Sequence, residues 1–500
     1  MSTNSASLPT DPKGWRSLKN LSRYHWFVFL VACLAWDLDC MDQQLFILAR
    51  KPAMNALLEA PTEDPAKRQQ IAEKLKVSVD SDKVTKAIKD AKVNEYAGYA
   101  TSIFLIGWAI GGLGFGIMGD RAGRVRTLMT TILLYSVFTG LSAFSVGFMD
   151  FALYRFLTGL GVGGVFAVAV SLVAETVPNA SRPYMLGLLQ ASSVIGNVAA
   201  ALINIGLGSL EGAGTFKDAT FLGFEMSPWR IMFVIGIVPS ILVLVIQGRL
   251  KEPEKWQASK NAGVKAGQFS ELLGSKYKRN ALFGLMLAFA GVVGLWGIGF
   301  FAPDLQQTVF KAEFVQQAEA QGLTGEKQDQ FVSGKTAQWA GITSLMINGG
   351  AFFGIYGFTW FTGIVGRKPA FAVFFLAAAG STLLVFLKMK TFGDIFWMLP
   401  LMGFCQLGLF GGYAIYFPEL FPTRLRSTGT SFCYNVGRLV AASGPAVLGL
   451  LTSSVFSAAN GYTDPGEPAR YAGAVMCSVF GLGLIALVFL PETKDKPLPE

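Results

Sequence analysis

The sequence predicts an all-α polytopic membrane protein with twelve transmembrane helices in two pseudo-symmetric six-helix halves. Three observations predict it. The 500 residues are 52% hydrophobic, 13% aromatic and only 15% charged, far more apolar than a soluble core of this length needs. Twelve apolar runs are long enough to span, and in lipid a continuous run of that length satisfies its backbone as a helix. A signature Glu-x-x-Pro-x-x-x-Arg follows the fourth run (Glu175, Pro178, Arg182) and returns 244 residues later after the tenth (Glu419, Pro422, Arg426). Repeated halves with a site between them are a common transporter design.

In chain order, residues 1–23 are polar, carry Lys13, Arg16, Lys19 and Arg23, and show no cleavage-site pattern, so a retained cytoplasmic tail is expected. Spans are expected at 24–48, 98–118, 127–147, 150–173, 184–208 and 229–249, which form an N-terminal half over 24–249. A central loop, 250–280, follows. The second half, 281–490, holds spans at 281–303, 337–361, 369–388, 393–417, 429–452 and 471–490, before a tail over 491–500. Arg121, Arg124, Arg126, Arg182, Arg367, Lys368, Arg424, Arg426 and the lysines of 250–280 all lie on the side of both termini, which makes that side cytoplasmic. The expected location is the plasma (inner) membrane. The insertion at 50–95 carries ten Lys or Arg but also eight Asp or Glu, and long segments translocate largely regardless of charge. It and a second insertion at 304–336 are helix-permissive, and read either as a small extracytoplasmic cap or as mobile surface loops.

Several function classes are disfavoured at once. The net charge of +9 falls in short segments between apolar runs, a loop pattern rather than a nucleic-acid surface. Five cysteines, an odd number, all within spans, imply neither a disulfide framework nor a metal site. His25 is the single histidine, so a His-dependent hydrolase has no base, and no Walker-type loop supports ATP-driven pumping. The chain is expected to be no enzyme and to need no cofactor, a proton being its coupling ion.

Span one carries the unusual chemistry: Trp36-Asp37-Leu38-Asp39-Cys40-Met41-Asp42. An ionised group inside hydrocarbon costs several kcal/mol unless paired, hydrated or protonated, so a carboxylate there marks function by default. Counted from Tyr24, Asp39 lies ~22 Å and Asp42 ~27 Å along the axis, and three residues apart they share a face. The alternative is that they mark the helix end in headgroup water. Arg155 in span four lies at a comparable depth. It pairs permanently with these carboxylates, or pairs with them only in the absence of substrate, or grips a substrate carboxylate bidentately. Arg438 in span eleven, ~13 Å from Gly429, anchors an anion or snorkels as a structural arginine. Asn435 shares its face. Gln190, Trp296, Asn348 and Gln406 are further polar or aromatic candidates near the midplane, each also suited to gluing helices together.

Between spans two and three the chain reads GIMGDRAGRVR, Gly116 to Arg126. With the repeated signature and RFLTGLGVGG, Arg155 to Gly164, this resembles the major facilitator superfamily, whose loop motif Gly116, Asp120, Arg121, Gly123 and Arg124 match. Asp39-x-x-Asp42 with the segment Pro418 to Pro445 most resembles the proton-coupled carboxylate symporters of the aromatic acid and sialate groups, although Cys40 stands where those have glycine. Pro491-Glu492-Thr493-Lys494 is more similar to the sugar porters.

The resemblance implies that Asp120, Arg121, Arg124, Glu175 and Arg182, and in the second half Glu419, Arg424 and Arg426, work in gating. The second latch is expected to be weaker, because Gly363 occupies the place of Asp120. It further implies alternating access by a monomer in the bilayer, with Asp39 or Asp42 loading a proton while Arg438 and Arg155 hold a small organic anion. A sugar or polyol symporter on the same fold is the competing reading, and a non-transporting membrane sensor a more distant one.

Overall fold

The computed structural model describes residues 14–58, 65, 68–69, 72, 78–212, 216, 220–263, 267–298, 302–441, 447–448, 451, 455–456 and 467–499. Residues 1–13 of the expected tail and the far part of the expected eleventh span lie outside these. Among the described residues, ten helices are long and apolar enough to cross a membrane. They cover expected spans one to seven, nine, ten and twelve. Span eight lies within the helix Glu326–Val365, and span eleven begins as Arg426–Ser431, passes a π turn at Phe432–Val436 and continues as Gly437–Ala441. Span six is broken at Gly236 into Pro228–Ile235 and Ser240–Arg249, and span seven, Lys278–Val292, runs into a π turn at Val293–Ile298.

The insertions depart from their expected limits. Span one continues to Leu57 and span two starts at Asp82, so much of 50–95 is helix extended past the apolar stretch. Likewise 304–336 holds the helix Ala302–Ala320 and the start of Glu326–Val365, turned at Gly322 and Gly325, which both have positive φ. Phe310 and Phe314 are buried and stack on Phe392, with Trp339 also against that ring, so this hairpin packs on the bundle. Composition permits the helices; burial of these rings holds them. One two-stranded hairpin, Thr220–Phe221 with Phe224–Glu225, turns through Leu222 and Gly223, both at positive φ.

Spans two and four meet backbone to backbone. A Cβ on Gly107 would run into Phe156 O, on Gly111 into Leu160 O, on Gly159 into Phe104 O and on Gly163 into Trp108 O. The second half repeats the device, with Gly350 on Pro400 O, Gly354 on Phe404 O and Gly403 on Ile347 O. Small residues let helix backbones touch, which substitutes for the hydrophobic drive that lipid removes. Gly163→Val is therefore expected to force spans two and four apart at a cost of at least ~1–3 kcal/mol. Its measure is the yield of monodisperse protein and its Tm in detergent; a wild-type Tm would show that the two helices can separate freely.

Candidate functional site

Two charged assemblies are built on this frame. The first lies on the face where residues 14–22, the starts of spans three, five, nine and eleven, and the tail 490–499 meet, called here the basic face. Arg124, fully buried, forms a two-pronged bond with Glu175 (Nη2–Oε1 2.9 Å, Nε–Oε2 3.1 Å), pairs with Asp120 at 3.0 Å, and donates to the carbonyls of Gly119 and Thr423. Glu175 also accepts from Arg426 of the other half at 2.8 Å. Asp120 crosses between halves too, accepting from Ser427 N (3.1 Å), Thr428 N (2.9 Å) and Thr428 Oγ1 (2.6 Å), and so caps the start of span eleven. A carboxylate at a helix N-terminus meets unpaired N–H groups and the positive end of the dipole. Gly116 allows this approach, since a Cβ there would sit 2.7 Å from Ser431 Cβ. The bundle is thus closed at the basic face.

Glu252 caps span three, accepting from the backbone N–H groups of Arg124, Val125 and Arg126. Gly123, at φ 116°, brings the chain there; a side chain would be strained and would strike the Glu252 carboxylate. The second half mirrors this arrangement. Arg367 binds Glu419 at 3.0 and 3.1 Å, and Glu492 accepts from the N–H groups of Arg367 and Lys368. The sequence marks Arg367 as a loop cation and Glu492 within Pro491 to Lys494, neither for this contact, and leaves Glu252 unmarked. The signal was there: Glu492 follows Glu252 by 240 residues and Arg367 follows Arg124 by 243, close to the 244 of the recognised signature.

The symmetry then stops. Arg426 reaches Glu175 across the halves, whereas Arg182 donates to Ala174 O and to Asn179. Glu419 instead accepts from Thr493 Oγ1 at 2.6 Å. At Gly363 the neighbour is the Tyr184 hydroxyl, 2.7 Å from where a Cβ would stand. Arg121 is exposed beside Gly267, outside the buried network. Arg424 pairs with Glu271 of the central loop.

Glu492 is half-buried, which works to raise its pKa, but four backbone N–H donors outweigh this and hold it below its ordinary 4.5. A carboxylate depressed on folding stabilises fully above its unfolded value, and the benefit fades as pH falls through the lower folded value. Glu492→Gln should therefore lower Tm at pH 7 and converge on wild type in acid. Equal Tm values at pH 7 would remove Glu492 from the stabilising contacts.

The second assembly is central. Asp39 and Asp42 are fully buried, and no described basic residue lies within ion-pairing distance of either. Asp39 accepts from Gln43 Nε2 at 2.9 Å through one oxygen, while its other oxygen and both oxygens of Asp42 have no hydrogen-bond partner. The helix-end alternative for these residues does not hold, since span one continues well beyond them. Gly236, at the break in span six, keeps space beside Asp42: a Cβ there would stand 3.1 Å from Asp42 Oδ1. Two further buried charges, Arg155 and Arg438, lie in the same central region.

Arg155 is not in a permanent ion pair. Its Nη2 donates to Ser142 Oγ (2.7 Å) and Thr158 Oγ1 (3.1 Å), the rings of Phe46, Phe151 and Phe233 surround its guanidinium, and Nη1 has no partner. Arg438 does not snorkel. Its Cζ lies 4.1 Å from the Trp108 ring centre and 4.2 Å from that of Tyr434, while Nε and Nη1 have no partner. Stacking on aromatic faces holds a guanidinium in place without using its N–H groups. Tyr434 in turn stacks on Phe166, and Trp36 packs against Phe166 at a tilt. This aromatic surround was not legible in the sequence.

The remaining candidates divide. Gln190 is buried with Oε1 unpartnered. Asn435 donates across the halves to Gly163 O (3.2 Å) and within its own span to Ser431 Oγ (2.9 Å), while its Oδ1 has no partner. Gln406 donates to Thr382 of span nine at 2.6 Å with its Oε1 unpartnered, and Asn348 donates to Ser344 O one turn back. Trp296 lies in the π turn of span seven, with its side chain outside the described structure.

Comparison with known proteins adds to this picture. Residues 66–274 match the family described as "Sugar (and other) transporter". The cis,cis-muconate transport protein of Acinetobacter baylyi is 30% identical over 413 residues, 80% of this chain and 86% of that one. The niacin transporter of the same organism is 26% identical over 395 residues, covering 73% and 81%. Among solved structures, the proton:xylose symporter XylE of E. coli, a major facilitator superfamily protein, superposes with a TM-score of 0.65 at 17% identity, covering 95% of this chain and 98% of that one.

Proposed function

This chain belongs to the major facilitator superfamily of secondary transporters, and we propose that it carries a small organic carboxylate inward together with a proton, by alternating access. Arg438 carries the reading: a buried guanidinium packed on Trp108 and Tyr434 with two nitrogens unspent. A buried arginine with free N–H groups suits a carboxylate ligand, which accepts in the same plane. Muconate and niacin, the cargo named for two relatives, are both carboxylic acids. A neutral sugar needs no such cation.

Charge accounting supplies the proton. An anion entering an inside-negative compartment is opposed by ~2.3 kcal/mol per charge per 100 mV. A proton held on Asp39 or Asp42 cancels that charge, and burial, the neighbouring charges and the access of water set which form each carboxyl takes. In this reading the protonated carboxyl lowers the competition for Arg438, the anion binds, the halves rock, and release on the other side frees both. The basic face is the cytoplasmic one, and the transporter acts as a monomer in the plasma (inner) membrane. Uptake into liposomes of labelled aromatic and aliphatic carboxylates and of sugars, with and without an inward proton gradient, tests this. Gradient-dependent accumulation of an acid is expected; gradient-driven uptake of a neutral sugar with no acid transported would overturn the proposal.

A further inference from the structure

The basic face carries a contact that the gating motif does not explain. Residues Gly14–Asn20, ahead of span one, form a short 3-10 helix, and Trp15 projects from it between the two halves. Its ring centre lies 4.7 Å from that of Tyr184 of span five, tilted, and 4.7 Å from that of Tyr356 of span eight, stacked at 15°. Hydrogen bonds fasten the segment to the N-terminal half: Ser17 Oγ donates to Ala180 O at 3.2 Å and Ser181 Oγ donates to Ser17 O at 3.0 Å, with Ser17 and Ser181 buried. Trp15 is therefore an arm mounted on one half and resting on the other.

Its position explains why it is there. Between spans two and eleven, Asp120 caps the opposing helix with three hydrogen bonds. The symmetry-related meeting of spans five and eight has Gly363 in place of that carboxylate and the Tyr184 hydroxyl beside it. One turn away the same two helices touch closely, a Cβ on Gly187 running into the Thr359 side chain. So the two spans pack tightly, yet on this side the acidic latch is missing. The aromatic ring that packs on Tyr184 is the one that Trp15 supplies, and it reaches Tyr356 on the far half as well.

We infer that the N-terminal segment is a strap: Trp15 holds spans five and eight together at the basic face and so stabilises the state closed there. When the halves rock and that face opens, Tyr356 moves with its own half while Trp15 stays with span five, and the stack breaks. Its indole Nε1 is buried without a hydrogen-bond partner, so the ring is held by its faces alone and no hydrogen bond of its own resists the release. The inference rests on alternating access and not on the cargo, so it survives whatever the transported molecule is.

The test uses the full chain in lipid nanodiscs, spin-labelled at Arg126→Cys and Lys368→Cys, at the starts of spans three and nine on opposite halves; the five native cysteines are buried. Electron–electron distance distributions give the fraction open at the basic face. Trp15→Ala is expected to raise that fraction about two- to tenfold, the range that loss of one or two aromatic contacts implies. Trp15→Phe should restore most of the closed population, Tyr356→Ala should match Trp15→Ala, and the double variant should add nothing further. A distance distribution unchanged in Trp15→Ala overturns the strap. If Tm falls while the distribution stays the same, the ring is packing and not a latch, and the inference is equally overturned.

Discussion

Replacing Arg438 by Gln is expected to abolish carboxylate uptake, lowering kcat/KM by about 10²–10³-fold, the cost of removing one partner from a desolvated, hydrogen-bonded charge pair. The loss should appear in direct binding of the anion to purified protein as well as in flux. Arg438→Lys is expected to recover little, because an ammonium neither stacks flat between Trp108 and Tyr434 nor donates two parallel bonds. Folding should survive, since Nε and Nη1 make no bonds that the substitution would orphan. A variant that folds, binds the acid with wild-type affinity and transports it would remove Arg438 from the anion site and leave it as scaffolding.

Neutralising both carboxylates, Asp39→Asn with Asp42→Asn, should uncouple the cycle while leaving the anion able to bind. Accumulation driven by an inward proton gradient is expected to collapse to equilibration, a tenfold loss per pH unit for one proton per cycle, whereas exchange of labelled for unlabelled acid continues. The two single variants separate the roles. Asp39 is the one acted on by Arg438, so its loss should tighten anion binding by removing a competitor; Asp42, set beside Arg155 and Gly236, should affect the gradient dependence with little change in affinity. Gradient-driven accumulation persisting in the double variant would place the coupling proton elsewhere.

Much of the charged assembly at the basic face is legible in the sequence. Asp120, Arg124, Glu175 and Arg426 were marked by a loop motif and a repeated signature, and all four meet at the basic face. Arg121 shares the motif but not the buried network, because it lies on the exposed side of the same turn. The polar midplane residues were less legible. Gln406 and Asn435 are as buried as the central acids; their NH2 groups are taken up by Thr382 and by Gly163 and Ser431, while their carbonyl oxygens have no partner. An amide in a span has the same sequence signature whether it faces a neighbouring helix or a ligand. The caps Glu252 and Glu492 were hidden for another reason: an acid just past a span resembles ordinary loop polarity until its partner N–H groups, over a hundred residues away in sequence, are seen.

By itself the sequence determined what depends on short stretches: the apolar runs that make helices, the basic segments that share one face, the 244-residue repeat, and the acids of span one that hydrocarbon makes expensive. These follow from the cost of exposing polar groups to lipid, which each stretch meets on its own. The tertiary structure alone decided that both aspartates are buried with open oxygens, that Arg438 is held by two rings from different spans, and that Glu175 joins the two halves. It also decided that Trp15 stands where the second latch lacks its carboxylate. Charges and rings act over a few ångströms, so their partners are set by how helices far apart in the chain pack against each other, and no local pattern encodes that distance.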